Sequence, residues 1–139
     1  LRGEFLPHSI GTIQSNAACG VFGRYTDSFS SFSTLPTAHI QAVHSGAAEI
    51  LTTVSGSSPQ RYTAVIERIN LTCAEPNRNL LLRITDPALL DSCGGIVQGM
   101  SGSPILQDGA LVGAVTHVFV NDPTRGYGIL IENMLSEMP

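Results

Sequence analysis

The chain has 139 residues, a net charge of −4, 14 Gly, 8 Pro and no Trp, which is enough for one domain with a real core. The acidic balance leaves no basic footprint and argues against nucleic acid as a partner. No uninterrupted apolar run approaches the ~20 residues of a membrane span.

Few charges and abundant Gly, Pro, Val, Ile, Leu and Thr describe strands and turns better than helices. Nothing at the start reads as a signal peptide, and the chain opens on Leu1 rather than Met, so a processed product or a fragment of a longer protein is expected. The segment 1–16 is weakly patterned. Ala17 to Tyr25 reads as a short strand broken by Gly20 and Gly23, and the Ser- and Thr-rich segment 26–34 reads as a surface loop. Thr37 to Ser45 is predicted as a helical turn ended by Gly46. Its histidines, His39 and His44, stand five apart, which places them on different sides of a helix. They are read as exposed residues, and no metal site or other cofactor is expected.

Ala48 to Val54 and Arg61 to Leu71 read as two strands joined by the SGSSP turn. Neither face of the second is cleanly polar, as expected for a closed barrel near its rim. Leu80 to Ile84 is a further short strand. Asp86 before Pro87 has the chemistry of a helix start, an acceptor for orphan N–H groups followed by a residue with none. Gly94 and Gly95 then end that turn. Three cysteines, Cys19, Cys73 and Cys93, are too few for a disulfide scaffold, and their pairing stays open.

Gly95 to Val120 carries the chemistry. Gly99 to Pro104 spell GMSGSP, in which glycines on both sides of Ser101 allow a loop that aims successive N–H groups inward. Such donors form an oxyanion hole when they are preset where charge develops on an attacked carbonyl. A serine hydroxyl also needs a base to take its proton. After it come an apolar run from Pro104 to Gln107, the hairpin signal Asp108-Gly109 and a second apolar run from Ala110 to Val120. The strand-serine-helix elbow of α/β-hydrolases is excluded, because Ser103 stands where that pattern requires Gly and no helix follows. The turn Asn121 to Gly126, a strand from Tyr127 to Ile131 and a short helical tail from Glu132 close the chain.

The run GGIVQGMSGSPI followed by GAVTHVFVNDPT and GYG resembles the SpoIVB peptidase family, chymotrypsin-like serine proteases of bacterial sporulation. The resemblance extends more weakly from Ile10 through IGTI, CGVFG, AEILT and RITD, so residues 1–139 are read as a single peptidase domain. It implies a mainly β, double β-barrel fold that is incomplete at the N-terminus. It also implies Ser101 as nucleophile, the N–H groups of Gly99 and Ser101 as oxyanion hole, and Thr116, His117 and Val118 in the wall of the substrate cleft. Asp86, in ITD, matches the proposed third member of a Ser-His-Asp set; without the resemblance it reads as an N-cap. Met100 stands where trypsin-like enzymes carry an activating Asp, and is expected to pack beneath the loop.

In the resembled family the catalytic histidine stands in a Gly-His motif. None of His8, His39, His44 and His117 follows a glycine, so the base is expected outside this chain, and this chain alone is expected to be nearly inert. The resemblance further implies a signalling endopeptidase acting between forespore and mother cell, or exported and membrane-associated. That enzyme cuts a protein substrate and itself, and its parent protein carries a membrane anchor and a PDZ domain outside this chain. The rival expectation is a pseudoprotease or peptide-binding module that uses an apolar strand such as Val115 to Val120 for strand addition.

Overall fold

The computed structural model describes residues 7–26, 33–72 and 74–138. Most of the loop expected at 26–34 lies outside them, as does Cys73. Strands β1 (Gly11–Ala17) and β2 (Gly20–Tyr25) form a separate antiparallel hairpin. Strands β3 (Gly46–Thr52), β4 (Gln60–Ile69), β5 (Leu80–Ile84), β6 (Pro104–Gln107), β7 (Ala110–Phe119) and β8 (Asp122–Leu130) close into a barrel. Their order around it is β3-β4-β5-β8-β7-β6, every pair antiparallel, with β3 against β6 closing the ring. Closure leaves these strands no open edge. Helix α1 (Pro87–Cys93) links β5 to the serine loop, and α2 (Ile131–Ser136) follows β8.

The barrel fills itself by alternation, since successive strand residues face opposite sides of a sheet. In β5, Leu80, Leu82 and Ile84 are buried while Arg83 is exposed. In β4, Ala64 and Ile66 are buried, and Glu67 is the unpaired residue of a bulge between Ile66 and Arg68. Ile50, Leu89, Ile105, Val112, Val115 and Leu130 belong to the same core. Each fully buried Leu or Ile contributes about 1.5–3 kcal/mol of transfer free energy.

Three local expectations change. The segment Ala17 to Tyr25 is a turn and the second strand of a hairpin whose first strand, β1, had no visible pattern. Gly23 is paired opposite Ile13, and a Cβ there would lie 2.3 Å from the Thr12 carbonyl oxygen, so the glycine permits close pairing rather than ending a strand. The turn expected at 121–126 shrinks to Val120 and Asn121, because Asp122 already pairs with Phe119. Asp122 Oδ1 accepts from Thr124 N at 3.2 Å and Thr124 Oγ1 at 2.6 Å, which folds Pro123 into the irregular start of β8. The helical turn expected over 37–45 is a 3₁₀ turn, Ile40–Ala42, capped by the exposed His39.

Candidate active site

Asp86 positions the segment leading to the serine. Its Oδ1 accepts from Ala88 N at 3.0 Å and Leu89 N at 3.2 Å, capping α1, while Oδ2 accepts from Thr63 N at 3.0 Å. The Thr63 N–H holds the carboxyl below the usual carboxylate range, helped by the N–H groups of Leu89 and Ala88 against some desolvation. One carboxylate therefore starts α1 and ties it to β4. The helix ends at Gly94, whose φ of 78° permits the left-handed cap.

From Gly94 the chain crosses to β8, where Ile96 N donates to the Pro123 carbonyl at 2.8 Å. Ile96 and Met100 are buried and anchor the loop from below, so Met100 packs as expected. Gly99 at φ 103° and Gly102 at φ 89° take the positive-φ conformations that the GMSGSP pattern called for. The far side is stitched to β7 by Gly102 N to Val115 O at 2.7 Å and Val115 N to Ser103 O at 2.9 Å. Ser101 is left exposed at the apex. Among the described residues, the N–H groups of Gly99 and Ser101 donate to no backbone carbonyl.

The Ser101 hydroxyl donates to the Thr116 carbonyl at 2.9 Å. Thr116 is the extra residue of a bulge in β7, between the pairs Val115–Gly128 and His117–Tyr127. A bulge locally disrupts the ladder and bends its strand. Ser101, Thr116 and His117 line a cleft of about 500 Å³ together with Gly102, Asn77 and the β1–β2 turn around Cys19. Thr116 Oγ1 donates to the Asn77 carbonyl at 2.5 Å, and Asn77 Nδ2 donates to the Ala18 carbonyl at 3.2 Å. The 3₁₀ turn Pro76–Arg78 thus joins the hairpin to the barrel across the cleft.

The structure brings together Ser101, Thr116 and His117 of the expected site, with Gly99 in the same loop. Val118 packs against the core and does not line that cleft. Asp86 is not among the cleft residues, and its hydrogen bonds go to Thr63, Ala88 and Leu89. His8 lies beside β1 and β2. His39 faces Glu132 at 3.8 Å, and His44 Nε2 meets Asp108 Oδ2 at 2.8 Å. His117 is exposed on β7. Among the described residues no histidine hydrogen-bonds Ser101 or Asp86, and no group of His, Cys, Asp and Glu is arranged to hold a metal ion.

The model of the family described as SpoIVB peptidase S55 matches residues 1–135. The chain belongs to the SpoIVB peptidase family. No curated protein sequence matches it significantly. A similar solved structure is that of Rv3671c from M. tuberculosis H37Rv, a serine-to-alanine mutant in an inactive form, with a TM-score of 0.58 at 15% identity. The alignment covers 91% of this chain and 62% of that one, so this SpoIVB-family chain spans less than two thirds of its neighbour's length. That likeness gives the fold, which is chymotrypsin-like.

Two contributors to the cleft in this SpoIVB-family chain escape sequence reasoning. The β1–β2 turn does so because β1 holds only exposed and half-buried residues and has no apolar stripe. Asn77 does so because one Asn in a short turn carries no pattern.

Proposed function

We propose that this chain is the nucleophile-bearing part of a serine endopeptidase of the SpoIVB type. The observation that carries the reading is Ser101 exposed at the apex of a loop held from three sides, beside two N–H groups without backbone partners and over a cleft. Ser101 Oγ attacks a peptide carbonyl while a base takes its proton. The N–H groups of Gly99 and Ser101 receive the oxyanion, and the protonated base then gives its proton to the leaving amine. The base is an imidazole supplied from outside the chain, and Asp86 orients it. For that step the Asp86 carboxylate must keep an oxygen lone pair free beyond those used by α1 and Thr63. By family kinship, the whole protein is a sporulation signalling protease that cuts a protein substrate and itself in the space between forespore and mother cell. It is membrane-anchored and carries a PDZ domain.

Two observations favour a second reading, a peptide-binding pseudoprotease. Ser101 donates its proton to a backbone carbonyl rather than to a base, and Asp86 already accepts three backbone N–H groups. Intact mass after exposure to a fluorophosphonate separates the two. The samples are this chain, a form extended through any upstream Gly-His segment, and that form with Ser101→Ala. A single adduct only on the extended wild type supports the peptidase with a base beyond this chain. Labelling of this chain unaided would show that His8, His39, His44 or His117 serves as base. No adduct on any form moves the binding module ahead. Loss of the base forfeits several orders of magnitude in rate, so an activated and an unactivated serine are well separated.

A further inference from the structure

All seven basic residues counted as Lys or Arg are arginines, and four of them gather on one outer face of the barrel around β4, β5 and β8. Glu67, at the β4 bulge, is bound by Arg83 and by Arg125, the latter with Nε at 3.0 Å and Nη2 at 2.7 Å from one carboxylate oxygen. Arg125 also lies 5.7 Å over the Phe119 ring, and Phe119 meets Tyr127 at 4.9 Å. Arg78 lies 5.5 Å over the Tyr127 ring and pairs with Glu75 at 2.8 Å. These stacked guanidiniums are fixed before any partner arrives.

Arg68 is different. It is exposed, and among the described residues its side chain has no ion pair or hydrogen bond. It sits where two adjoining grooves meet, both of which it lines with Leu81 and Tyr127. Four guanidiniums face two carboxylates on this surface, although the whole chain is negative. The excess positive charge lies beside an apolar and aromatic floor.

We propose that this groove is a docking site for an acidic peptide segment carrying an aromatic or large apolar side chain. A carboxylate pairs with Arg68, and the apolar side chain lies on Leu81 and Tyr127. Two connections place the groove beside the Ser101 cleft. Tyr127 is paired with His117, which lines the cleft, and the 3₁₀ turn Pro76–Arg78 gives Asn77 to the cleft and Arg78 to the groove. One extended polypeptide can therefore occupy both. Only that last link, the identity of the docked segment as part of the polypeptide in the cleft, rests on the peptidase reading.

Binding is measured on the Ser101→Ala chain, where catalysis plays no part, by anisotropy of a fluorescein-labelled Glu-rich peptide with a central Phe. The same peptide with Gln for every Glu serves as control. Saturable binding that weakens with added salt, disappears with the Gln peptide and falls about tenfold or more in Arg68→Ala is expected. That factor corresponds to the loss of one hydrogen bond to a charged group. Arg68 has no partner to lose, so Arg68→Ala should melt with the parent. Equal binding by the parent and Arg68→Ala would overturn the proposal, and so would binding of the Gln peptide. Full displacement by inorganic phosphate, with phosphate binding as tightly as the peptide, would overturn it in favour of a simple anion site. A failed fluorophosphonate experiment leaves these outcomes unchanged, so the two readings fail separately.

Discussion

Asp86 shows how one side chain can have a structural duty that is measurable apart from chemistry. Because its folded pKa is depressed, its contribution is complete above the unfolded value of about 3.9 and is lost as pH falls through the folded value. Asp86→Asn keeps an acceptor for α1 but gives up the charge. The variant should melt a few degrees below wild type at neutral pH, and the gap should close as the pH drops below about 4; a gap of constant size would show that the charge is irrelevant. His44 has the opposite sign. The hydrogen bond to the Asp108 carboxylate, with the Ser45 carbonyl second, raises its pKa above the usual histidine value. Its stabilisation is thus present below about pH 6.5 and fades as pH rises through the folded value. In Asp108→Asn, the NMR titration midpoint of His44 should move down, and an unmoved midpoint would dismiss the pair.

At the scale of elements, the β6–β7 hairpin holds the serine loop in place, and two of its glycines serve it for different reasons. Gly109 sits in the tight turn with φ 80° after Asp108 at φ 51°, and nothing would meet a Cβ there. Gly109→Ala should therefore cost only the left-handed backbone, about 1–2 kcal/mol. Gly113 is buried with its backbone against β8, and a Cβ would lie 2.0 Å from the Ile129 carbonyl oxygen. Gly113→Ala must push two strands apart, and should cost at least the ~1–3 kcal/mol typical of overpacking. Urea unfolding of both variants checks the order. If Gly109→Ala proves the more damaging, the close contact of β7 with β8 is not what Gly113 protects. The hairpin was legible because Asp-Gly between apolar runs is a local signal. The β1–β2 hairpin was not, because its strands pack on no core and so carry no apolar alternation.

For the molecule as a whole, closure of the barrel makes the site's geometry depend on a core remote from it. Ile66 is fully buried on β4, across the barrel sheet from the β7 bulge that meets Ser101. Ile66→Ala should cost about 2–5 kcal/mol, read as a lower urea midpoint with a cooperative transition. A broad, non-cooperative transition would instead mean that β3–β5 and β6–β8 unfold separately. At the same scale the net charge concealed a basic face. A sum over the chain cannot show that the β4 bulge, β5, β8 and the 3₁₀ turn at Pro76–Arg78 bring four arginines to one surface of an acidic protein.

The sequence alone determined what neighbours along the chain determine. Ser101 between glycines, Asp86 before Pro87, Asp108 before Gly109 and the alternation of β5 each act within a few residues, and each formed as those residues require. Tertiary structure alone decided which of these groups meet. It turned the Thr116 carbonyl onto Ser101 through a bulge, set Asn77 and the Cys19 turn across the same cleft, and spent the Asp86 hydrogen bonds on Thr63 and α1. Those outcomes depend on strand register around a closed ring, where a single bulge re-aims the residues beside it. No local pattern encodes which residue the bulge will present.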